Sequence, residues 1–273
     1  MIPSGQGGPG ATPRILILKT GETAIEVRRA HGDYDRWFID AMTGLPAAFD
    51  VCDVTRAPIP SLDPYAGVLI TGSVKSAYAQ EAWMKPLAEF LRGPGSAGRP
   101  VLGVCFGCQM LAQARGGRVV LNPEGWEIGA VEVSLDREAC AGDRLFGGLV
   151  SPDSSGAGGR PDPAARLPVL ATHQDRIETL PPGAVRLAGN ANTPVQAFRA
   201  AGNVWGVQFH PEATPAILRE LILLRRDRLE ADVRARGTSS DGRIERLIAD
   251  LERFDVAPAR RLLASFVSLC AER

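Results

Sequence analysis

The chain has no excess of charge of either sign, because its 273 residues carry 31 basic and 31 acidic side chains. Proteins that bind nucleic acid without sequence specificity rely on a basic surface that displaces counterions from the phosphates. The balanced composition excludes that mode of binding. We therefore expect no nucleic-acid partner.

Long hydrophobic runs and a cysteine framework are also missing. No apolar stretch approaches the roughly 18 residues that a membrane-spanning helix needs, and residues 1–13 show neither the basic start nor the apolar segment of a secretion signal. The five cysteines are an odd number scattered along the chain, unlike the dense, even framework of small secreted domains. We therefore predict a soluble, cytoplasmic protein with reduced thiols and no membrane partner.

Short apolar runs of strand length alternate with segments of helical periodicity in the first half of the chain. The apolar runs are Arg14–Leu18, Phe49–Val54, Gly67–Thr71, Pro100–Val104 and Gly117–Leu121, and the helical segments include Asp35–Met42 and Ala79–Leu91. Short, mostly apolar runs are typical of strands buried on both faces, so the alternation predicts an α/β fold with a mostly parallel central sheet covered by helices on both faces. From Trp126 to Asp136 apolar and polar residues alternate, which predicts a small antiparallel extension.

Composition marks three segments outside this pattern. Residues 1–13 are rich in Gly, Pro and small polar residues, and we expect a flexible leader there. A second stretch rich in Pro, Gly and Ser, residues 151–168, is interpreted as a surface insertion rather than a domain boundary. Residues 221–273 carry apolar stripes at helical spacing, so we expect C-terminal helices packed as an extension on a domain of residues 14–220.

The sharpest local pattern is Gly103-Val-Cys-Phe-Gly107, where an apolar strand pattern runs directly into a helical one at Cys105. This is the G-x-nucleophile-x-G form of a nucleophile elbow, with cysteine in place of serine. Such a turn exposes the sulfur and points backbone N–H groups and a helix N-terminus at the site, which favours the reactive thiolate. A buried cysteine in a Gly-rich turn would show the same motif, so this pattern alone leaves both readings open.

A cysteine nucleophile needs a base, and the chain holds only three histidines: His31, His173 and His210. His210 follows the strand-like run Val204–Phe209, and Glu212 stands two residues beyond it. In an extended backbone, residues i and i+2 project to the same side. The Glu212 carboxylate can therefore reach the His210 ring and fix its tautomer. A solvated histidine at a strand end is the alternative that this pattern leaves open.

Five stretches carry a resemblance to a known family: Ile70–Ser73, Gly103–Gln109, Gly125–Gly129, Ala171–Asp175 and Gly206–Glu212. In this order and spacing they resemble a class I glutamine amidotransferase domain of the stand-alone type, similar to the glutaminase half of GMP synthetase. The resemblance extends from the first strand to about residue 220. It implies a flavodoxin-like sheet with the catalytic residues at the carboxyl ends of its strands.

The resemblance implies a role for each matching residue. Cys105 would be the nucleophile, His210 its acid–base partner and Glu212 the orienting carboxylate. The backbone amides of two residues would form the oxyanion hole: Gly72 and Phe106. Three side chains fall where the family holds the substrate: Gln109, Thr172 and His173.

The implied reaction cleaves the side-chain amide of glutamine through a γ-glutamyl thioester on Cys105 and releases glutamate and ammonia. No metal and no organic cofactor is expected. The sequence contains no Gly-rich phosphate loop and no synthetase core. Either a separate synthetase subunit accepts the ammonia, or the same triad hydrolyses other γ-glutamyl peptides or amines. A catalytically silent binding protein on this fold is a third reading, which the presence of all three triad residues disfavours.

Cys108 departs from the family pattern, because members often carry histidine at this position. Cys105 and Cys108 thus form a C-x-x-C pair, for which a redox role or half a zinc site are alternatives. Neither fits well, since a zinc site needs a second ligand pair and the other cysteines stand alone: Cys52, Cys140 and Cys270. We also hypothesise that a reversible Cys105–Cys108 disulfide inactivates the nucleophile.

Overall fold

The computed structural model describes residues 12–93, 98–150, 164–237 and 239–272. The strands in these ranges are Arg14–Lys19 (β1), Ala48–Asp53 (β2), Gly67–Ile70 (β3), Val101–Val104 (β4), Arg118–Leu121 (β5), Glu127–Asp136 (β6), Ala164–His173 (β7), Asp175–Thr179 (β8), Val185–Gly189 (β9), Ala197–Ala201 (β10) and Val204–Val207 (β11). The helices are Ile25–His31 (α1), Tyr34–Ala41 (α2), Met84–Arg92 (α3), Phe106–Ala114 (α4), Arg137–Ala141 (α5), Pro215–Leu224 (α6), Arg226–Ala235 (α7), Arg243–Leu251 (α8) and Ala257–Ala271 (α9). No helix of the described ranges is both long enough and apolar enough to cross a bilayer.

The main sheet has the strand order β2-β1-β3-β4-β11-β10-β9-β6-β7. The first five of these strands are parallel neighbours, and the remaining strands continue the sheet with antiparallel pairings. The parallel half follows the flavodoxin-like order, in which ligands bind at the carboxyl ends of the strands. The predicted fold class is confirmed.

Helices cover both faces of the sheet. Along β1, Ile15 and Ile17 face a core that Phe38 of α2 and Phe266 of α9 complete. The intervening Leu16 and Leu18 face the opposite core, with side chains of α3 and α4. The continuous apolar run of β1 therefore reflects a strand that is buried on both sides.

The C-terminal helices belong to the same packed body as the strands. The boundary expected at residue 220 falls inside the continuous helix α6. Helix α9 contributes Leu262, Leu263 and Phe266 to the core that includes β1. These helices therefore share the core of the strands.

Two of the low-complexity segments lie mostly outside the described residues: residues 1–11 of the expected leader and residues 151–163 of the expected insertion. The rest of that insertion, residues 164–168, forms the first half of β7 instead of a loop. These residues pair with β6, and Pro168 stands opposite Glu132. Because β7 is the edge strand of the sheet, a proline there removes no ladder hydrogen bond that the sheet requires.

Two further elements differ from the sequence-based expectation. Strand β5, expected among the strands of the main sheet, pairs only with β8 in a separate two-stranded antiparallel sheet. Helix α3 begins at Met84 rather than at Ala79. Pro86 is the reason, since proline is tolerated in the first turn of a helix but clashes with a preceding helical turn.

Candidate active site

Three predicted site residues follow three neighbouring parallel strands. Gly72 lies just beyond β3, Cys105 directly follows β4, and His210 lies just beyond β11. These strands are adjacent in the sheet, so their carboxyl ends meet. A Cβ atom built on Gly72 would lie 3.3 Å from Cε1 of His210 and 3.7 Å from Cβ of Cys105. The structure therefore brings the three residues together.

Cys105 sits in a strained turn between β4 and α4. Its backbone has φ 52° and ψ −105°, a region that residues with a side chain rarely occupy. Its N–H donates to the Val207 carbonyl oxygen at 2.8 Å, which ties the turn to β11. The strain is localised at the one residue whose sulfur the turn presents.

The glycines on either side of Cys105 are required by close packing. A Cβ on Gly103 would lie 2.6 Å from the backbone of Gly107, and a Cβ on Gly107 would lie 2.6 Å from the carbonyl oxygen of Ile70. Both distances are far below an ordinary contact. Only glycine therefore lets β4, α4 and the neighbouring β3 approach this closely.

His210 and Glu212 form a buried pair. Nδ1 of His210 lies 2.7 Å from Oε1 of Glu212, and the side chains are 5% and 1% exposed. Since a carboxylate only accepts hydrogen bonds, Nδ1 carries the proton. The His210 backbone N–H donates to the Leu170 carbonyl oxygen at 2.8 Å, which holds the residue against β7.

The electrostatics of the pair favour a charged imidazole. Burial alone would lower the pKa of His210, but the Glu212 carboxylate and the negative charge of a Cys105 thiolate outweigh burial and raise this pKa to about 10. Nε2 of His210 makes no hydrogen bond of ordinary geometry with the described residues. Loose nucleophile–base contacts are common in unliganded sites. The arrangement can hold a thiolate beside an imidazolium.

Two backbone N–H groups beside Cys105 are available as donors. The Thr71 carbonyl oxygen accepts from the Gly107 N–H at 3.2 Å and lies 3.1 Å from the Thr20 hydroxyl. In a trans peptide the N–H points away from the carbonyl, so these contacts direct the Gly72 N–H to the opposite side. Neither this N–H nor that of Phe106 donates to any residue in the described ranges.

A cavity of about 410 Å³ opens in front of the cysteine. This volume lies within the usual range for small-molecule sites. Its walls include Cys105, Trp126 and the three positions predicted to hold the substrate: Gln109, Thr172 and His173. His210 and Glu212 are not among the residues that line this cavity.

Two of the predicted substrate-binding side chains already have partners. Nε2 of Gln109 donates to the Asp175 carbonyl oxygen at 3.1 Å and to Oε1 of Gln208 at 2.9 Å. The His173 ring has Nδ1 2.9 Å from the Asp175 carbonyl oxygen and Nε2 3.0 Å from Oε2 of Glu127. Their side-chain nitrogens thus brace the cavity wall, and a direct contact of either with substrate stays a prediction.

Sequence reasoning missed Glu127, although it lies in the Gly125–Gly129 stretch. This buried carboxylate accepts from Gln196 at 2.7 Å and from Asn190 at 2.6 Å besides contacting His173. Burial would raise the pKa of Glu127, but the His173 ring together with hydrogen bonds from Thr193 and Asn190 outweighs burial and lowers this pKa. Glu127 therefore links the cavity wall to the antiparallel half of the sheet.

Sequence reasoning also missed Arg225, Tyr34 and Asp175. Arg225 donates from Nη1 to the hydroxyl oxygen of Thr172 at 2.5 Å and lines the cavity. Burial raises the pKa of Tyr34 to about 12. The positive charge of Arg225 opposes this rise, and the negative charge of a Cys105 thiolate adds to it. No local pattern marks Arg225, because it reaches the site only through the packing of α6 and α7.

Cys108 belongs to α4 but does not line the cavity. It is fully buried, and a Cβ on Gly206 would lie 2.8 Å from its sulfur. Burial raises the pKa of Cys108 well above its ordinary value. Both Cys105 and Cys108 are free thiols. Within the described ranges, no group of three or more His, Cys, Asp or Glu side chains is arranged to hold a metal ion.

Comparison with known proteins gives a family match and several relatives. A family model described as glutamine amidotransferase class-I matches residues 41–225. The γ-glutamyl peptidase 4 of Arabidopsis thaliana is 26% identical over 211 residues, which cover 76% of this chain and 78% of that protein. A glutamine-hydrolysing GMP synthase of Nitrosomonas eutropha is 35% identical over 174 residues, which cover 63% of this chain and 30% of that protein.

The solved structures agree on the fold. A glutamine amidotransferase of Methylobacillus flagellatus superposes with a TM-score of 0.69 at 23% identity, over 95% of this chain and 96% of that one. One from Thermotoga maritima superposes with a TM-score of 0.66 at 24% identity, over 96% of this chain and 99% of that one.

Proposed function

Because the chain belongs to the glutamine amidotransferase class-I family, we propose that it hydrolyses the side-chain amide of glutamine through a γ-glutamyl thioester on Cys105. The observation that carries the proposal is the meeting of Cys105, His210 and Gly72 at one edge of the sheet. Glu212 orients the histidine, because its Oε1 lies 2.7 Å from Nδ1 of His210. In this proposal Cys105, His210 and Glu212 form the catalytic triad of a glutaminase.

The first step is attack of the Cys105 thiolate on the amide carbon of glutamine. The carbonyl oxygen becomes an oxyanion, which the Gly72 and Phe106 N–H groups stabilise. Loss of one such donor typically costs about 2.7–4 kcal/mol of transition-state stabilisation. The Gly72 N–H needs no reorganisation, because the Thr71 carbonyl oxygen of the same peptide already accepts hydrogen bonds from the Gly107 N–H and the Thr20 hydroxyl.

The second step expels ammonia. The His210 imidazolium donates the Nε2 proton to the departing nitrogen as the carbon–nitrogen bond breaks, which leaves a γ-glutamyl thioester and a neutral imidazole. The imidazole then removes a proton from a water molecule that attacks the thioester carbon. Breaking of the carbon–sulfur bond releases glutamate and regenerates the Cys105 thiolate and the imidazolium.

In this proposal the ammonia must pass to an acceptor that the glutaminase domain itself does not bind. The match to the GMP synthase of Nitrosomonas eutropha covers only 30% of that protein, so most of that protein lies outside the match. We propose that a separate synthetase subunit receives the ammonia.

A second candidate function is hydrolysis of γ-glutamyl peptides. The match to γ-glutamyl peptidase 4 of Arabidopsis thaliana spans 78% of that protein, far more than the 30% for the GMP synthase. Both reactions form the same thioester on Cys105 and need the same His210 and Glu212. They differ only in the leaving group that the cavity must admit.

The test is to incubate the purified protein with glutamine, with γ-glutamyl-ethylamide and with γ-glutamyl-glycine, and to measure glutamate release. The proposal predicts turnover of glutamine by the wild type and none by Cys105→Ala. Turnover confined to the two conjugates would contradict the glutaminase function and support the second candidate. Turnover of none of the three would contradict both.

A further inference from the structure

Arg225 lies at the junction of α6 and α7 and faces the same cavity as Cys105. Its Nη1 donates to the Thr172 hydroxyl oxygen at 2.5 Å. Its guanidinium carbon lies 5.2 Å from the centre of the Trp126 ring. A neutral hydroxyl and an aromatic face thus hold the cation in a fixed orientation on the cavity wall.

No carboxylate of the described ranges forms an ion pair with Arg225. Its surroundings are costly for a cation, since burial lowers the pKa of Arg225, partly opposed by Tyr34 and Cys105. Removing a charge from water is unfavourable unless an opposite charge compensates for it. A partly buried guanidinium without a carboxylate partner therefore indicates that an anion arrives from outside.

The other charges of the cavity point in the same direction. Arg228 also lines it and forms no ion pair with the described residues. Lys75 is neutralised by Glu81 at 2.6 Å, and the Asp175 carboxylate accepts from the Tyr78 hydroxyl at 2.9 Å. The charge of a Cys105 thiolate is balanced by the His210 imidazolium, so the two cations without an ion-pair partner, Arg225 and Arg228, face the single carboxylate of Asp175. The surplus is positive, which suits a substrate with net negative charge.

We propose that Arg225 binds a carboxylate of the substrate and that the site takes γ-glutamyl compounds with an anionic group within reach of this arginine. The inference rests on the proposed function for the position of the scissile amide. An arginine suits the task, because its planar fork matches a carboxylate with two parallel hydrogen bonds. Thr172 and Trp126 act as positioning residues for the guanidinium.

The carboxylate has two possible sources within one substrate. The glutamyl half carries an α-carboxylate in every γ-glutamyl compound, whereas a γ-glutamyl amino acid carries a second carboxylate on its leaving group. γ-Glutamyl-glycine has both groups, γ-glutamyl-ethylamide has only the first, and 4-aminobutyryl-glycine has only the second. These three ligands separate the two sources.

The experiment measures binding of the three ligands by calorimetry to Cys105→Ala protein, which cannot turn them over. Arg225→Met is then introduced into the Cys105→Ala protein. Arg225→Lys is the variant that keeps the positive charge but lacks the planar guanidinium. Arg226→Met is the matched control, because Arg226 is the adjacent arginine but pairs with Glu245 at 3.1 Å outside the cavity.

We expect Arg225→Met to weaken binding of γ-glutamyl-glycine by about 10- to 100-fold, as for loss of a charged hydrogen-bonding partner, while Arg226→Met leaves it unchanged. An equal loss for γ-glutamyl-ethylamide assigns Arg225 to the α-carboxylate. A loss limited to the two glycine conjugates assigns it to the leaving group. Unchanged binding of all three ligands would overturn the inference.

This test does not depend on turnover. If wild-type protein hydrolyses none of the substrates but Arg225→Met still weakens ligand binding, the proposed function fails and the carboxylate site stands. If the wild type turns over substrate and binding is insensitive to Arg225→Met, only the carboxylate site fails. Thermal denaturation of each variant checks folding, and we expect Arg225→Met to melt no lower than its parent, because it removes a partly buried charge that has no carboxylate partner.

Discussion

Oε1 of Glu212 lies 2.7 Å from Nδ1 of His210, and both side chains are buried. The carboxylate fixes which ring nitrogen carries a proton and leaves Nε2 for the chemistry. It also stabilises the imidazolium, and hence the raised pKa of His210 is a property of the pair.

This pair predicts a specific pH dependence. With a pKa of about 10, His210 keeps its acidic proton through neutral pH and loses it as the pH rises toward 10. Glu212→Gln removes the nearest negative charge, so we expect the alkaline limb of kcat/KM to move to lower pH and kcat to fall about 10²- to 10⁴-fold. Coinciding alkaline limbs in pH–rate profiles of the two proteins would contradict the pairing. Glu178→Gln, at a surface ion pair, is the control.

The Thr20 hydroxyl predicts an effect on kcat from outside the cavity. It lies 3.1 Å and 2.8 Å from the carbonyl oxygens of Thr71 and Gly72 and so positions the Gly72 N–H. We expect Thr20→Val to lower kcat about 10- to 100-fold through misplacement of the oxyanion donor, with KM little changed. Steady-state kinetics measures the split. A rise in KM at unchanged kcat would count against this role, and Thr43→Val, whose hydroxyl is exposed, is the matched control.

The packing of Gly107 predicts a loss of stability. A methyl group there would lie 2.6 Å from the Ile70 carbonyl oxygen, which is backbone and cannot rotate away. We expect Gly107→Ala to lower the free energy of unfolding by about 1–3 kcal/mol or more. At Gly148 no atom lies within 4 Å of the added group, so Gly148→Ala should be neutral. Equal denaturant midpoints for the two variants would disprove the packing argument.

Burial of Cys108 bears on the hypothesis of a Cys105–Cys108 disulfide. Its sulfur packs against Gly206, and its fully buried side chain does not line the cavity, so we expect this packing to oppose a disulfide. We therefore expect peroxide-inactivated wild type and Cys108→Ala to recover activity to the same low extent on treatment with dithiothreitol. A markedly better recovery of the wild type would instead support the disulfide.

The proximity of Cys105, His210 and Glu212 could be predicted from sequence because its signals are local. Cys105 and His210 each end a strand-like run, and parallel strands place such ends at one edge; Glu212 follows from the i, i+2 geometry of an extended segment. Arg225 and Glu127 could not be assigned, since their positions depend on the docking of α6 and on partners distant in sequence. The start of β7 was missed because Pro168 is typical of loops and is tolerated only at a sheet edge.

The central claim is that a γ-glutamyl group is transferred to Cys105. Its most direct test is intact-protein mass spectrometry after rapid mixing with glutamine and acid quenching, with peptide mapping of the modified site. The proposed mechanism predicts a transient mass gain of one glutamyl residue, located on Cys105, absent from Cys105→Ala and longer-lived in Glu212→Gln. Turnover of glutamine with no adduct on Cys105, or with undiminished rate in Cys105→Ala, would contradict it.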